Sequence, residues 1–298
     1  MNLPRFSVII PCYNYGYLVE RAIRSVHEQM AGGDELIVIN DGSTDDTAVQ
    51  LERLQLRYPR VRHINQPNAG VAATRNRGIE LASNDSLIFL DADDELLPDA
   101  LDKLRAVADR AEMIVADYLT RHADGSERYR SVGRVRHAGK LRFLDFLDKK
   151  LVLANGACVM HKAIFSKMKF PEGLRNTEDV PVFAYALAMH SCFHLNTPVL
   201  RVHRHADSLR SHLGYSLQAG DALVDAIFRS ELLPDEIMRY RPRFLSNRLL
   251  SQFRSAYLGK AWAEADELFR RAIAVYPAHI LKLSYLRKFL LMKLRGRS

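Results

Sequence analysis

Residues 86–94 read Ser-Leu-Ile-Phe-Leu-Asp-Ala-Asp-Asp, an apolar run that ends abruptly in carboxylates. Comparable strand-like runs occur at residues 6–10, 35–40, 61–65 and 113–117. Between most of these runs, apolar residues recur at three- and four-residue steps, which predicts helices. Strands that alternate with helices in this way predict βαβ units, and hence a parallel sheet with helices on both faces.

The composition is that of a globular protein, with 48 % hydrophobic and 26 % charged residues in a chain of 298. It excludes a disordered or collagen-like chain. Cys12, Cys158 and Cys192 lie far apart and form no Cys-x-x-Cys pair, which indicates a reducing compartment rather than a disulfide framework. The sequence shows neither a signal peptide nor a run of about 18 apolar residues, so we expect a cytoplasmic protein, soluble or peripheral on a membrane.

The regular alternation ends near residue 118, which suggests three regions. Residues 1–118 form the first half of an α/β domain, and residues 119–212 form its less regular second half. Residues 213–298 are expected to be helical throughout, with a basic tail. That tail contains Lys282, Arg287, Lys288, Lys293, Arg295 and Arg297 among many leucines.

Two interpretations of the tail remain open. A basic amphipathic helix is suited to an anionic membrane surface. Alternatively, the helix packs on the rest of the chain and exposes a solvated basic face. The net charge of +8 could also indicate nucleic acid, but the sequence has no recognisable nucleic-acid module, so we expect no such partner.

The predicted strands end in polar, turn-forming or acidic residues, and ligands bind at the carboxyl ends of strands in such sheets. A dinucleotide site requires Gly-x-Gly-x-x-Gly after the first strand. Residues 11–16 read Pro-Cys-Tyr-Asn-Tyr-Gly instead, which argues against a nicotinamide-dependent dehydrogenase. The same loop lacks the basic residues expected of a sugar-phosphate nucleotidyltransferase.

Asp91 and Asp93 occupy alternate positions after an apolar run, so both side chains can point the same way. Carboxylates in this arrangement can hold Mg²⁺ or Mn²⁺ together with substrate phosphates. The alternative is structural, because Asp93 or Asp94 could cap a helix that begins near Pro98.

Taken in order, several segments of the chain resemble the inverting glycosyltransferases of family 2, which have the GT-A fold. The resemblance covers about residues 5–210. It rests on SVIIPCYNYGYLVERAIRSVHEQ (7–29), ELIVINDGSTDDT (35–47), NQPNAGVAATRNRGIELA (65–82), LIFLDADDEL (87–96) and NTEDVPVFAYAL (176–187). It implies a Rossmann-like, mostly parallel sheet, with the α-helical C-terminal region as an addition.

The resemblance also implies the roles of individual residues. Asp41 would accept hydrogen bonds from the base, most often uracil, Asp91 and Asp93 would hold the metal, and Asp179 would be the general base beside Glu178. Glu178 and Asp179 could instead simply favour a helix N-terminus. The nucleotide and donor contacts would come from Pro11, Tyr13, Asn14, Asp41, Asn68, Gly70, Arg75, Asp91, Ala92 and Asp93, and from a covering loop with His203, Arg204 and Ser208.

The function that the resemblance implies is metal-dependent, inverting transfer of a hexosyl or N-acetylhexosaminyl group from a nucleoside-diphosphate donor, with UDP expected. The acceptor would be a hydroxyl of a glycan or lipid-linked sugar in bacterial surface polysaccharide or lipopolysaccharide synthesis. Residues 1–118 would bind the donor and residues 119–212 the acceptor. The alternative is a degenerate transferase that serves as a glycan- or partner-binding module.

Overall fold

A computed structural model describes residues 3–204 and 220–295. The chain forms two compact units, Met1–Ser211 and His212–Ser298. Across the two described ranges, none of the helices combines the length and the apolar character needed to cross a bilayer.

Strands and helices alternate at the start of the first unit, as predicted. The strands are β1 (Phe6–Cys12), β2 (Glu35–Asp41), β3 (Val61–Gln66) and β4 (Ser86–Phe89). The helices between them are α1 (Val19–His27), α2 (Thr47–Arg57) and α3 (Val71–Leu81), and a short strand β5 (Glu95–Leu96) and helix α4 (Ala100–Arg105) follow. The predicted strand positions are confirmed, with small differences at the strand ends.

The remainder of the first unit is less regular. It contains β6 (Met113–Arg121), β7 (Glu127–Arg130), α5 (Gly139–Leu147), β8 (Cys158–His161), α6 (Asp179–Met189) and β9 (Cys192–His203). Single 3₁₀ turns occur at Asn155–Ala157 and Lys162–Ser166. Strand β6 crosses residue 118, so the two halves expected from the sequence share a continuous strand.

The described strands form one nine-stranded sheet in the order β3-β2-β1-β4-β8-β6-β9-β5, with β7 paired to β6. Strands β1 to β4 pair in parallel. Strand β8 then runs antiparallel to both of its neighbours, and β9 runs parallel to β6. The sheet is therefore parallel in the half whose strands end in the polar and acidic residues of the sequence analysis, and mixed in the other half.

Helices cover both faces of the sheet, because alternate residues of a strand point to opposite faces. All seven residues of β1 are buried. Val8 and Ile10 belong to the same core cluster as Ile23 of α1. On the other face, a Cβ atom at Gly78 of α3 would lie 2.4 Å from Ile9 Cγ2, so this helix packs unusually close to the strand.

The second unit is helical in its described part, as expected. Its helices are Gly220–Ile227, Asp235–Met238, Arg241–Leu258, Trp262–Val275 and Leu283–Arg295, with a 3₁₀ turn at Pro277–Leu281. Pro242 lies in the first turn of its helix, where the missing N–H removes no helical hydrogen bond. The core of this unit consists of Leu249, Leu250, Phe253, Ala256, Ala265, Phe269, Ala272 and Met292.

Candidate active site

The carboxyl ends of β1 to β4 lie at one edge of the sheet because these strands are parallel. Pro11 is buried within β1 and pairs with Ile39, so the strand continues beyond this proline. The neighbouring strand β4 pairs with β1 only as far as Ile9. The absence of an N–H at Pro11 therefore costs no hydrogen bond to β4. The side chain of Tyr13, just beyond the strand, is 45 % exposed.

Asn14 joins the loop after β1 to the loop after β2. Its backbone N–H donates to Ser43 Oγ at 2.9 Å, and its Oδ1 accepts from the Thr44 backbone N–H at 2.8 Å. Asn14 has φ +56°, a left-handed conformation that Asn tolerates better than most residues. The asparagine thus fixes the relative position of two strand-end loops.

Asp41 organises the loop that follows β3. The carboxylate is buried, and its Oδ1 accepts from Gln66 Nε2 at 2.7 Å and from the Ala69 N–H at 2.8 Å. Its Oδ2 accepts from the Gly70 N–H at 2.8 Å, and Asn68 Nδ2 donates to the Asp41 carbonyl at 2.8 Å. A carboxylate offers about four lone pairs, so these bonds leave little of it for another donor. The expected contact of Asp41 with a base remains a prediction.

Glycine is required beside Asp41 by a close approach of two loops. Gly42 has φ +65°, and a Cβ atom there would lie 2.6 Å from the backbone N of Asn68. An L side chain would therefore be both strained and overlapping at this position. The loops after β2 and β3 can pack together only because residue 42 has no side chain.

Asp91 and Asp93 are partly exposed, whereas Ala92 and Asp94 between and beside them are buried. The Asp93 carbonyl accepts a hydrogen bond from Arg21, and Asp94 Oδ1 accepts from the His203 N–H at 2.9 Å. Helix α4 begins after Asp99, so the alternative in which Asp93 or Asp94 caps that helix is wrong. The acidic segment is a separately anchored turn whose alternate carboxylates reach the surface.

Arg75 is buried and joins two acidic groups. Its Nη2 donates to Asp91 Oδ1 at 2.7 Å and its Nη1 donates to Glu178 Oε1 at 2.6 Å. Burial alone would lower the pKa of Arg75, but the charges of Asp91 and Glu178 raise it above its usual value. Sequence analysis assigned Arg75 to the nucleotide, a contact that remains a prediction, and did not foresee this pair of ion pairs.

Asn76, the next residue of α3, holds the chain that leads to the predicted base. Its Nδ2 donates to the Phe170 carbonyl at 2.9 Å and its Oδ1 accepts from the Phe170 N–H at 2.9 Å. Phe170 also lies under the guanidinium of Arg75, with 5.4 Å from Cζ to the ring centroid. Two consecutive residues of one helix therefore position the segment between Phe170 and Glu178.

Glu178 and Asp179 lie at the start of α6, where Glu178 is the N-cap residue and Asp179 begins the helix. The helix dipole favours a carboxylate at this position, which agrees with the alternative that Glu178 and Asp179 favour a helix N-terminus. Glu178 is buried against Arg75, whereas Asp179 is partly exposed. The two neighbouring carboxylates thus differ in environment, and Asp179 is the more exposed of the two.

The end of β9 contacts the acidic segment rather than lying apart from it. His203 Nε2 is 2.9 Å from Glu95 Oε1, and Arg201 Nη1 donates to the same oxygen at 2.9 Å. Burial lowers the pKa of His203, an effect that its bond to Glu95 opposes. Strand β9 is an inner strand, because β5 pairs outside it. Arg204 is exposed, and Ser208 lies outside the described residues.

Strand β6 carries a buried carboxylate, Asp117, that sequence analysis did not identify. Asp117 Oδ1 accepts from the Val132 N–H at 2.8 Å and lies 2.9 Å from His194 Nε2. The hydroxyl of Tyr129 donates to Asp117 Oδ2, and this bond raises the pKa of Tyr129 to about 12. The register of β6 on β9 shifts at Asp117, so a local bulge accompanies the cluster.

The oxygen donors at this edge fit a divalent cation that arrives with a phosphate ligand. Within residues 3–204 and 220–295, no three His, Cys, Asp or Glu side chains are grouped to hold a metal by themselves. Mg²⁺ needs only one or two carboxylates when substrate phosphates and water supply the other ligands. The partly exposed Asp91 and Asp93 meet that requirement.

Known structures share this fold. The crystal structure of S. aureus TarS 1-349 in complex with UDP-GlcNAc superimposes with a TM-score of 0.72 at 17 % sequence identity, covering 98 % of this chain and 91 % of that one. The mannosyltransferase PcManGT from Pyrobaculum calidifontis, in complex with GDP-Man and Mn²⁺, gives a TM-score of 0.57 at 18 % identity and covers 99 % and 87 %. At such identities the likeness establishes the fold, which is that of GT-A proteins.

This chain spans only part of the length of the curated relatives that it matches. The uncharacterized glycosyltransferase YibD of Escherichia coli is 30 % identical over 221 residues, which are 67 % of this chain and 64 % of that protein. The GalNAc(5)-diNAcBac-PP-undecaprenol beta-1,3-glucosyltransferase of Campylobacter jejuni is 38 % identical over 104 residues, 34 % of each chain. Residues 7–169, more than half of the sequence, match the model of the family Glycosyl transferase family 2. The chain belongs to that family.

Proposed function

We propose that this protein is a metal-dependent, inverting glycosyltransferase that moves a sugar from a nucleoside diphosphate, UDP in the first instance, to a hydroxyl of a glycan or lipid-linked acceptor. The observation that carries the proposal is the placement of Asp91 and Glu178 on one buried arginine, Arg75. Through Arg75, Asp91 in the acidic turn is joined to the start of α6, where Asp179 lies.

The donor side uses the loops after β1 to β4. Asp93 and Asp91 would hold Mn²⁺ or Mg²⁺. The bound ion would neutralise the charge that develops on the diphosphate leaving group. Tyr13, Asn68 and Gly70 lie on the exposed part of these loops. The loops are fixed to each other by Asn14 and Asp41, so a nucleotide would meet a site whose shape is already set.

The acceptor side uses Asp179 as general base. Asp179 is partly exposed and lies at a helix start, where the dipole favours negative charge. It would take the proton from the acceptor hydroxyl as that oxygen attacks the anomeric carbon from the face opposite the diphosphate. Displacement in one step inverts the anomeric centre. A positioned base contributes roughly 10²–10⁴ in rate.

Glu178 and Arg75 act on this base indirectly. Glu178 is buried in its ion pair with Arg75, so it is a positioning residue for its neighbour. Asn76 holds the preceding segment through both backbone groups of Phe170. Orientation of this kind accounts for a large share of the acceleration in bimolecular transfer.

The proposal is tested by following nucleotide release from UDP-, GDP- and dTDP-sugars with Mn²⁺, together with the configuration of the released sugar by proton NMR. Without an acceptor, water takes the place of the hydroxyl. We expect metal-dependent release from one nucleotide class, with the sugar appearing first as the inverted anomer. A sugar released with retained configuration contradicts the mechanism. Binding of glycans without any release would support the alternative, a degenerate transferase that acts as a binding module.

A further inference from the structure

The C-terminal helix Leu283–Arg295 packs through one face onto the other helices of the second unit. The ring of Phe289 stacks on that of Phe269, with centroids 4.1 Å apart and planes 16° from parallel. Met292 is buried in the same core, and Tyr285 packs against it. These residues occupy neighbouring turns, so a single face of the helix is in contact with the unit.

The opposite face of this helix is also apolar, and it is exposed. Leu283, Leu290 and Leu294 are 74 %, 53 % and 70 % exposed. At 100° per residue, the spacing of seven and then four residues places all three on one stripe, and Leu291 lies at its border. Isolated exposed leucines are ordinary, but a continuous stripe on a helix marks a contact surface.

Positive charge accompanies the stripe. Arg287 lies one turn from both Leu283 and Leu290 on the same face and is exposed, whereas Lys288 lies about 100° further round the helix, between the stripe and the packed face. The sequence contains no Asp or Glu after Glu267, so no acidic side chain of the tail offsets these cations. Lys293, on the packed side, instead pairs with Asp266.

This combination distinguishes between possible occupants. In a two-fold dimer the same surface meets itself, which would bring Arg287 of one copy towards its counterpart in the other. Like charges brought together in this way oppose association. An anionic bilayer surface complements the cations and accepts the leucines at the boundary of headgroups and acyl chains.

We propose that the stripe formed by Leu283, Leu290, Leu291 and Leu294, with Arg287 within it and Lys288 at the side of the helix, binds an anionic membrane surface. The helix lies parallel to the bilayer, with its packed face directed to the protein and its leucine stripe to the lipid. The proposal concerns the second unit alone and does not depend on the transfer reaction. If the acceptor is lipid-linked, the same contact would keep the enzyme at the surface where its acceptor lies.

The test is co-sedimentation of the full chain with vesicles of phosphatidylglycerol and phosphatidylethanolamine, with phosphatidylcholine vesicles for comparison. We expect binding to the anionic vesicles only, weakened by added salt. The double variant Leu290→Gln/Leu294→Gln removes exposed side chains and leaves the packed face intact. We expect this variant to bind the anionic vesicles at least about tenfold more weakly than the unmodified protein. The variant Arg287→Gln/Lys288→Gln should show a similar loss.

Leu56→Gln is the matched control, because Leu56 is an exposed leucine of α2, 87 % accessible, and its replacement should leave vesicle binding unchanged. Circular dichroism and UDP binding should be unaltered in every variant. The proposal is overturned if the unmodified protein fails to sediment with anionic vesicles, or if neither double variant weakens that binding. It is also overturned if sedimentation velocity shows a dimer that Leu290→Gln/Leu294→Gln dissociates, because the face is then an interface between copies.

Discussion

Arg75 Nη1 lies 2.6 Å from Glu178 Oε1, although 103 residues separate the two in sequence. The same guanidinium reaches Asp91 at 2.7 Å. A planar group with several fixed donors can serve two carboxylates at once, which an ammonium cannot do with the same geometry. The pair therefore couples the acidic turn after β4 to the start of α6 through one buried charge.

Replacing Arg75 should be costly for folding. We expect Arg75→Met to lower the free energy of unfolding by about 3–5 kcal/mol, because Glu178 is left buried without its partner. Urea denaturation measures the effect. Arg77→Met, an exposed position on the same helix, should change stability by about 0.5 kcal/mol or less.

The Arg75 penalty should also depend on Glu178. In a Glu178→Gln background, Arg75→Met should cost markedly less, since the neutral amide needs no counter-ion. Additive effects of the two changes would show that the ion pair contributes nothing, and would remove the structural link between the acidic turn and α6.

Asp179→Asn should separate binding from chemistry. We expect roughly a 10²–10⁴-fold loss of turnover with nucleotide affinity unchanged, because the amide cannot take the proton of the attacking hydroxyl. Nucleotide release under saturating donor gives the rate, and calorimetry gives the affinity. The exposed Asp109→Asn serves as control and should be fully active. An active Asp179→Asn enzyme would mean that another group is the base.

Much of the parallel half of this fold could be predicted from sequence because its signals are local. The runs that form β1 to β4 are short and apolar, and the turns that follow them consist of polar residues around Asp41 and Asp91. The parallel arrangement then brings these turns to one edge. Asp91 and Asp93 are both partly exposed, but the segment is a turn in which the Asp94 N–H donates to the Asp91 carbonyl at 3.0 Å, so the extended geometry expected from the sequence is wrong.

The ion pairs were not predictable in the same way. Arg75 stands on a helix whose spacing indicates which face is buried, but spacing does not show which carboxylate it meets from a distant segment. The interaction of His203 with Glu95 and the cluster around Asp117 depend likewise on the mixed half of the sheet, where strand order departs from sequence order. The helix-capping role considered for Asp93 and Asp94 failed because Asp99 precedes α4.

Gly78 should be intolerant of any side chain. A Cβ atom there would lie 2.4 Å from Ile9 Cγ2, so Gly78→Ala should lower stability by about 1–3 kcal/mol through displacement of α3 from β1. Thermal unfolding measures the change. Gly173→Ala is the control, because a Cβ at Gly173 meets nothing within 4 Å. Equal melting temperatures for the two variants would contradict the close packing described for α3.

The second unit should lose stability in mild acid through His279. Burial lowers the pKa of His279 to about 4, and the charges of Lys282 and Arg243 add to this, while the ring lies 2.7 Å from Ser246 Oγ. The unfolded state binds this proton below pH about 6.5, and the folded state only near pH 4, so stability falls as pH decreases between these values. Urea unfolding from pH 7 to 4.5 should show a smaller decline for His279→Asn. An identical decline would contradict the buried, neutral histidine.

Calorimetric titration with UDP, GDP, CDP and dTDP, each with and without Mn²⁺, tests the central claim most directly. We predict that one of the four nucleotides, expected to be UDP, binds tightly only when the metal is present. Asp93→Asn should abolish this metal-dependent binding, and Asp109→Asn should preserve it. Absent or metal-independent binding of all four nucleotides would contradict the account, and would mean that the acidic turn at Asp91–Asp93 is structural.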